Sequence, residues 1–446
     1  MEFKLTDLAQ ALGLTAESQA LVTGWSIDSR SIAPGDLFFA LRGPNHDGNA
    51  YVDEVLRKGA VAAVANDPKP GTVLVVRDTL AALQSTAKWA LKLWGGEVIA
   101  VTGSAGKTST KDVIASLIGA VMPVGKTIGN LNNHVGVPLS ILRLPWPAHV
   151  AVLEMGMNHA GEIRNLCKIA KPRIGVVTNV GHAHMEAFDS IEGVAAAKRE
   201  LIESLPFDGV AVLNADDPLV SCFRESHPGR TVTFGFSPGA EVRGEQVELT
   251  KCGVRFTVGG TQFQSALIGR HSVLNILAGL AVASLYGIRP AELTEAVKEL
   301  AAPSMRGQRL VQDGVTILND CYNSNPDAAR VMIDVLRETP AQRRIAVLGE
   351  MLELGRWSEA LHRDVGSYVA RSGIDVLVGI RGEACHLVDA ARQSGLAVDA
   401  AFFFADAASA GEHLRTIARP GDVILWKGSR GAHVELALER FLARRN

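Results

Sequence analysis

The hydrophobic and polar positions follow a different pattern in each of three consecutive stretches of the chain. Residues 1–94 mix short apolar runs with amphipathic helices, residues 95–303 open with the apolar run 97–101, and residues 304–446 alternate apolar runs with helices. A short apolar run is typical of a buried strand, and apolar residues three or four positions apart are typical of a helix. A chain of 446 residues is also too long for one ordinary domain. We therefore predict three α/β domains with these bounds.

The predicted elements of the first two segments come from this local spacing. In the first segment we predict strands at 36–41 and 73–76 and helices at 49–58 and 79–93. In the second segment we predict strands at 97–101, 150–153 and 174–177, helices at 108–121 and 190–205, a β-rich stretch at 231–267, and a buried helix after His271.

The third segment alternates more regularly than the other two. Its predicted strands lie at 315–318, 345–348, 376–378, 401–404 and 423–426. Each connection is long enough for a crossover helix, which favours a parallel, doubly wound sheet.

Composition and charge narrow the classes of protein that the chain can belong to. Lys plus Arg number 45 against 47 Asp plus Glu, so there is no basic excess of the kind that a nucleic-acid-binding protein carries. The five cysteines are scattered without a Cys-x-x-Cys pair, which is typical of reduced thiols and not of a disulfide framework or zinc site. The first residues lack the apolar core of a signal peptide, and no run is long enough to span a membrane. We expect a cytoplasmic protein, with no integral membrane segment, that acts as a monomer.

The strongest chemical signal is a glycine turn between the strand at 97–101 and the helix at 108–121. Glycines let backbone N–H groups point at phosphate oxygens, the helix N-terminus adds a favourable dipole, Lys107 supplies a cation and Thr108 can offer its hydroxyl to magnesium. The spacing of the glycines is two residues shorter than in the usual Walker A loop. The residues predicted to hold ATP here are Thr102, Gly103, Ser104, Ala105, Gly106, Lys107, Thr108 and Ser109.

Two charged residues downstream stand where a phosphate site would use them. Glu154 ends the strand at 150–153, where a magnesium ligand is wanted, although a surface acid at a strand end is the alternative. Lys198 falls in the middle of the apolar stripe of the helix at 190–205, while Glu200 and Glu203 are predicted to point the other way. A lysine in such a stripe either snorkels to solvent or has a chemical role.

The shortened loop, with a Thr before its first Gly and hydroxyl residues after its Lys, resembles the Mur ligase superfamily. The resemblance extends over nearly the whole chain. It implies a small UDP-binding domain at residues 1–94, a central ATP-binding domain with a parallel sheet at 95–303, and a Rossmann-like ligase domain at 304–446. It also implies ATP and two magnesium ions.

The resemblance assigns further roles, each with an ordinary alternative. Residues 178–186 resemble the second metal segment, in which His184 takes the ligand position and His182 is its neighbour. Lys198 matches a lysine that is carbamylated in the family and supports the second magnesium. Asn275 matches an adenine-contacting residue, although it and His271 could simply cap a helix. Arg306 matches a linker arginine that reaches the γ-phosphate, but Arg309 could hold that role.

Three strings in the third segment resemble one branch of the superfamily, the enzymes that add D-alanyl-D-alanine to UDP-N-acetylmuramoyl-tripeptide in peptidoglycan synthesis. They lie at 319–326, 348–355 and 427–430, and the first carries Asp320, an acidic residue that faces ATP. In the uridine-diphosphate domain and the sugar-peptide site, the resemblance implies substrate contacts from Ser29, Arg30, His46, Asp47, Asn132 and Asn133. A salt-bridged hairpin around Arg30 and a plain turn at Asn132 are the alternatives.

The function that the resemblance implies is an ATP-dependent amide-bond ligase working through an acyl phosphate. Two other hypotheses remain at this point. One is a sibling ligase that adds a single amino acid, such as meso-diaminopimelate or lysine. The other is a P-loop module that cycles nucleotide without making a product. The sequence does not specify whether the third residue of the tripeptide is diaminopimelate or lysine.

Overall fold

The first segment forms a small parallel sheet beside a two-stranded ribbon. The computed structural model describes residues 2–250 and 252–443. The elements of this segment are β1 (Phe3–Lys4), α1 (Leu5–Ala11), β2 (Leu21–Val22), β3 (Gly24–Ser26), β4 (Asp36–Phe39), α2 (Val52–Arg57), β5 (Ala62–Ala65), β6 (Val73–Val75) and α3 (Thr79–Trp94). Strands β1 and β2 pair antiparallel, and the other four form a parallel sheet in the order β3-β4-β5-β6.

The second segment is built on a seven-stranded parallel sheet. Its strands are β7 (Glu97–Thr102), β8 (Val124–Lys126), β9 (Val150–Glu154), β10 (Ile174–Val177), β11 (Val210–Asn214), β12 (Arg230–Gly235), β13 (Val242–Arg243), β14 (Glu245–Thr250), β15 (Gly253–Val258) and β16 (Thr261–Ser265). The sheet order is β13-β12-β11-β10-β7-β9-β8, while β14, β15 and β16 form a separate antiparallel sheet.

Helices cover the seven-stranded sheet. They are α4 (Lys107–Gly119), α5 (Gly136–Leu142), α6 (Glu162–Ala170), α7 (Ile191–Glu203), α8 (Pro218–Ser221), α9 (Arg270–Leu285) and α10 (Thr294–Lys298). Helices α4 and α9 share one core with β7 and β10, through residues such as Ile114, Leu117 and Ile276. Because β7 leads directly into α4, this packing fixes the glycine turn between them at the carboxyl edge of the sheet, where ligands of open α/β sheets bind.

The third segment forms a six-stranded sheet with helices between its strands. Its elements are β17 (Gln308–Gln312), β18 (Val315–Asp320), α11 (Pro326–Glu338), β19 (Arg343–Gly349), α12 (Ser358–Arg371), β20 (Val376–Ile380), α13 (Ala384–Gln393), β21 (Ala401–Phe404), α14 (Ala407–Ile417), β22 (Asp422–Lys427) and α15 (Val434–Leu442). The order is β17-β18-β22-β19-β20-β21.

The five predicted strands of this sheet are parallel, as expected, but the sequence analysis missed a sixth strand, β17, at one edge. Strand β17 pairs antiparallel with β18, while the other neighbours are parallel. Asp313 and Gly314 join the two strands, and both have positive φ, 50° and 78°. An Asp-Gly pair with this backbone makes the tight turn of a β-hairpin, which forces the edge strand to run antiparallel. The remaining strands form the expected doubly wound core.

Helix α7 buries one of the two acids that the sequence places off its apolar stripe. The pattern predicts that Glu200 points away from the stripe, and its side chain is nevertheless buried, because it contacts helix α6. Its carboxylate accepts hydrogen bonds from the N–H groups of Gly161 (2.6 Å) and Arg164 (3.0 Å) at the start of α6. A carboxylate that satisfies free N–H groups at a helix N-terminus is stabilised there, which offsets its burial. Glu203 is exposed, as expected.

Within the part of the chain that the structure describes, no helix is both long and apolar enough to cross a membrane.

Candidate active site

The glycine turn between β7 and α4 has the backbone geometry of a phosphate loop. Gly103 has a φ of 153°, and a Cβ there would lie 1.9 Å from the hydroxyl oxygen of Thr178. Gly106 has a φ of 79°, in the left-handed region that favours glycine. The Lys107 ammonium donates a hydrogen bond to the Gly103 carbonyl oxygen over 2.8 Å. The lysine therefore lies over its own loop, in position to meet a phosphate.

A neighbouring loop, which follows β10, holds the glycine turn in place. The Ala105 N–H donates to the Asn179 side-chain oxygen over 2.8 Å, and the Thr178 hydroxyl donates to the Ala105 carbonyl oxygen over 2.7 Å. The Ser104 hydroxyl donates to the Gly181 carbonyl oxygen over 3.0 Å. Asn179 was not among the predicted site residues. Its position directly after a buried parallel strand next to β7 is the signal that could have identified it.

Thr108 and Glu154 meet at the edge of the phosphate loop. The Thr108 hydroxyl donates a hydrogen bond to one Glu154 oxygen over 2.7 Å, and the Asn132 amide donates to the other over 2.7 Å. Glu154 is only 2% exposed. The alternative that Glu154 is a surface acid is therefore wrong.

The chemistry of these donors suits magnesium. A hydroxyl and a carboxylate are hard oxygen ligands, and magnesium beside a nucleotide is usually held by one or two such groups together with phosphates and water. Residues 2–250 and 252–443 contain no cluster of three or more His, Cys, Asp or Glu side chains that could hold a metal alone.

Lys198 is buried in the apolar stripe of α7. Its side chain is 1% exposed, so it does not snorkel to solvent. Burial, and then the positive charge of Lys107, hold the pKa of Lys198 well below its usual range. Burial likewise lowers the pKa of Lys107. Burying two lysines near each other is costly, because both positive charges lose water. A bound anion, such as a phosphate, would offset that cost, so the pair indicates a functional site.

The two histidines after β10 both face carboxylates of the third segment. The His182 ring nitrogen Nδ1 lies 3.0 Å from Asp327 Oδ2, and this hydrogen bond raises the pKa of His182. His184 Nδ1 lies 2.6 Å from Glu353 Oε2, although its N–H is not aligned for a hydrogen bond. His184 lines the central cavity, and its role as a metal ligand stays a prediction.

The third segment brings a basic and an acidic group to the same cavity. The Lys427 ammonium lies 2.5 Å from Asp320 Oδ2 and 3.0 Å from the Asn323 carbonyl oxygen. The Arg306 guanidinium carbon lies 3.7 Å from the centre of the Tyr322 ring, a cation–π contact that fixes it at the cavity wall. Arg309 lies on the edge strand β17 and is exposed. Lys427 belongs to a predicted string but was not itself predicted as a site residue.

Asn275 joins α9 to the phosphate loop. Its side-chain oxygen accepts a hydrogen bond from the Thr110 hydroxyl over 3.0 Å and lies 3.0 Å from where a Cβ of Gly106 would be. It does not cap α9, because its side chain is occupied by α4 and it lies in the second turn. His271 lines the same cavity, and burial lowers its pKa.

These groups surround one cavity of about 1450 Å³ between the second and third segments. The predicted site residues that line it are Ser104, Ala105, Gly106, Lys107, Thr108, Ser109, Asn132, Asn133, Glu154, His184, Asn275, Arg306 and Asp320. Thr102, Gly103 and Lys198 do not line it. The Thr102 hydroxyl donates to the Met155 carbonyl oxygen over 2.9 Å.

The predicted substrate residues of the first segment lie outside this cavity. Arg30 forms a two-pronged ion pair with Asp28, with its Nη2 2.6 Å from the Asp28 carboxylate, and this arginine holds the pKa of Asp28 at about 2. Asp47 accepts a hydrogen bond from the Asn49 N–H (2.9 Å). The structure thus contains the ion pair of the alternative interpretation around Arg30. The uridine contacts of Ser29, Arg30, His46 and Asp47 stay predictions.

Family models cover most of the chain. The Mur ligase family catalytic domain model matches residues 21–88, the Mur ligase middle domain model matches 101–283, and the Mur ligase glutamate ligase domain model matches 305–430. The chain belongs to the Mur ligase family. The boundaries that we predict between its domains, 94/95 and 303/304, stay predictions.

Individual Mur ligases are similar to the chain over most of its length. The UDP-N-acetylmuramoyl-tripeptide–D-alanyl-D-alanine ligase of Bacillus subtilis is 34% identical over 426 residues, which are 94% of this chain and 92% of that protein. A crystal structure of MurF from Acinetobacter baumannii superposes with a TM-score of 0.90 at 27% identity and covers 99% of both chains. MurF ligase from Thermotoga maritima, solved in complex with ADP, gives a TM-score of 0.84 at 29% identity, over 94% of this chain and 97% of that one.

Proposed function

We propose that this Mur ligase uses ATP to join D-alanyl-D-alanine to UDP-N-acetylmuramoyl-tripeptide, which forms the UDP-linked pentapeptide precursor of peptidoglycan. The observation that carries the proposal is the single cavity in which the phosphate loop faces Arg306 and Asp320 of the ligase segment. The proposal is supported by the 34% identity to a ligase of that name. A bare nucleotide-cycling module would not need a second domain that supplies charged groups to the same cavity.

The reaction has two chemical steps. In the first, an oxygen of the tripeptide's terminal carboxylate attacks the γ-phosphorus of ATP, the bond to the bridging oxygen of ADP breaks, and an acyl phosphate forms. In the second, the amine of D-alanyl-D-alanine attacks the acyl carbon and gives a tetrahedral intermediate. The intermediate expels inorganic phosphate, the amine loses a proton, and an amide bond remains.

The chain's own contribution is to position the reactants and stabilise negative charge. The loop N–H groups and the Lys107 ammonium would hold the β- and γ-phosphates, and Arg306 would reach the γ-phosphate from the opposite wall. Arg306 is preferred to Arg309 for this role because it lines the cavity, whereas Arg309 is exposed on an edge strand. Asp320 would face ATP, with Lys427 holding its carboxylate in place.

Magnesium would be held by Thr108 and Glu154 at the first position and by His184 and a carbamylated Lys198 at the second. When bound, the two ions neutralise charge on the transferred phosphoryl group. Lys198 suits this role because it is buried and its pKa is low, which favours the neutral amine. The lone pair of that amine attacks the carbon of carbon dioxide, and the nitrogen loses a proton to give the carbamate. The resulting carbamate is an oxygen anion on a long stem, of the kind that magnesium prefers.

The remaining predicted residues would select the substrates. Asn275 would contact the adenine ring, because it extends from α9 to the start of α4 beside the phosphate loop. Asn132 and Asn133 line the cavity next to Glu154 and would contact the sugar-peptide. The uridine diphosphate would bind at Ser29, Arg30, His46 and Asp47, with Arg30 exchanging Asp28 for the pyrophosphate.

The experiment that tests this function is phosphate release measured with the full chain and a panel of amines. Release is expected only when ATP, magnesium, UDP-N-acetylmuramoyl-tripeptide and D-alanyl-D-alanine are all present, and each is left out in turn as a control. Mass spectrometry of the product should show the tripeptide plus one dipeptide, less one water. Comparable turnover with a single free amino acid would overturn the proposal.

A further inference from the structure

The loop that carries His182 and His184 is held on one side by two carboxylates of the ligase segment. Asp327, in the first turn of α11, accepts hydrogen bonds from the backbone N–H of His182 (2.6 Å) and from its ring nitrogen Nδ1 (3.0 Å). Glu353, between β19 and α12, lies 2.6 Å from His184 Nδ1. Two successive histidine side chains of one segment are thus matched with two acids of another.

The histidine loop also packs directly against the ligase segment. A Cβ on Gly181 would lie 2.5 Å from Asp327 Oδ2, and a Cβ on Gly355 would lie 2.9 Å from the Cα of Glu186. The Glu186 N–H donates to the Glu353 carbonyl oxygen over 2.9 Å. Gly355 therefore makes room for the main chain at Glu186, and Gly181 makes room for the Asp327 carboxylate.

Both residues of the second pair have an uncommon backbone conformation. His184 has a φ of 60° and Glu353 a φ of 64°. A residue with a Cβ adopts such values only at a cost in free energy. Such conformations persist where the surrounding structure fixes them, and they concentrate at functional sites. Here the contact between 353–355 and 184–186 supplies that constraint.

We propose that Asp327 and Glu353 are positioning residues. When the ligase segment (residues 304–446) docks against the ATP-binding segment (residues 95–303), these two acids set His184 in the orientation that it needs as a metal ligand. Asp327 fixes the start of the loop through His182. Glu353 lies against the imidazole of His184 on its Nδ1 side, which leaves Nε2 as the ring nitrogen for a metal. This inference rests on the metal role proposed above for His184. A carboxylate behind a ligand histidine commonly orients the ring and strengthens its binding.

Docking and metal binding would then be thermodynamically linked. If docking improves the ligand geometry of His184, metal binding at His184 favours docking by the same factor. Arg306 and Asp320 belong to the same ligase segment and line the same cavity. Docking would therefore bring them to the cavity as it completes the second magnesium position.

The experiment measures binding of Mn²⁺, a spectroscopic substitute for Mg²⁺, to the full chain with saturating ADP. Free Mn²⁺ is followed by electron paramagnetic resonance, and His184→Ala identifies the share of bound metal that depends on His184. The test variants are Glu353→Gln and Asp327→Asn, which keep size and remove charge. The matched control is Glu338→Gln, at the far end of the same helix α11, whose carboxylate lies 3.9 Å from Arg337.

Glu353→Gln should weaken the His184-dependent Mn²⁺ binding by about 10- to 100-fold, as expected for loss of a carboxylate behind a ligand histidine. Asp327→Asn should weaken it in the same direction, and Glu338→Gln should leave it unchanged. Small-angle scattering should show that Mn²⁺ with ADP compacts the wild type more than Glu353→Gln.

The outcomes separate the inference from the function on which it rests. If the wild type binds Mn²⁺ through His184 and Glu353→Gln binds it equally well or more tightly, the positioning role is wrong and the metal role stands. If both test variants lose only thermal stability, the contact is merely structural. If His184→Ala binds as much Mn²⁺ as the wild type, the proposed metal role of His184 is wrong and the inference is wrong with it.

Discussion

The Thr108 hydroxyl donates a 2.7 Å hydrogen bond to the Glu154 carboxylate, across 46 positions of the chain. This pair brings the first residue after the phosphate-loop lysine to the end of a neighbouring parallel strand. Glu154 is almost fully buried, and its other oxygen is held by Asn132. Burial of a carboxylate with two neutral donors is costly, and a divalent cation beside it would offset that cost.

Glu154→Gln should raise the magnesium concentration needed for half-maximal phosphate release by at least about 10-fold, because an amide is a weaker magnesium ligand than a carboxylate. The matched control is Glu162→Gln, another acid at the cavity, whose carboxylate accepts the Asn158 N–H over 2.8 Å. A magnesium titration of each variant measures the effect. An unchanged requirement in Glu154→Gln would contradict the ligand role.

Lys107→Ala should lower kcat by roughly 100- to 1000-fold, about 2.7–4 kcal/mol of transition-state stabilisation, since Lys107 meets charge that develops on the transferred phosphate. The fold should survive, because Lys107 contributes a hydrogen bond to the Gly103 carbonyl oxygen within its own loop. Lys88→Ala, an exposed lysine on α3, serves as the control. A near-normal rate for Lys107→Ala would mean that the glycine turn is only a turn.

Lys198→Ala should abolish most activity, and a small added carboxylate such as formate should restore part of it by filling the space of the carbamate. Removal of carbon dioxide from the wild type should also lower its rate, while leaving Lys198→Ala with carboxylate unaffected. Steady-state rates under these conditions measure the effect. Full activity of Lys198→Ala, or a plain lysine beside bound nucleotide in a high-resolution map, would refute the carbamate.

Asn275→Ala should raise the KM for ATP by up to about 10-fold, since a neutral hydrogen bond contributes roughly 0.5–1.5 kcal/mol. It should reduce the preference for ATP over GTP, because the proposed contact is with the base. Thr110→Val removes the hydroxyl that donates to Asn275 and serves as the comparison. If Asn275→Ala lowered turnover with both nucleotides equally, Asn275 would act on the loop and not on the base.

Glu200→Ala should lower the free energy of unfolding by about 1–3 kcal/mol, because it leaves two N–H groups at the start of α6 without their acceptor. Glu203→Ala is the matched control on the same helix. Its carboxylate forms partly exposed ion pairs with Arg164 and Arg199, which contribute about 0–1 kcal/mol. Urea denaturation of both variants measures the difference, and equal losses would contradict the capping role.

The sequence by itself determined the elements whose signals are local. The helix at α4 and the strands β10 and β21 follow from apolar spacing, and the phosphate loop follows from glycines, Lys107 and Thr108 that are adjacent in the chain. Such signals predict structure without knowledge of the tertiary contacts, because backbone conformation and helical periodicity depend on neighbours a few positions away. The Asp-Gly turn before β18 was also local, and it could have predicted the antiparallel edge strand.

Only the tertiary structure decided which distant side chains meet. The hydrogen bond between Asn275 and Thr110 spans 165 positions, and the partners of His182 and His184 come from another segment. Glu200 lies off the apolar stripe of the helical pattern, yet it is buried because α6 starts beside it. The periodicity of a helix specifies one apolar face, but what covers the other faces depends on packing between elements that are far apart in sequence.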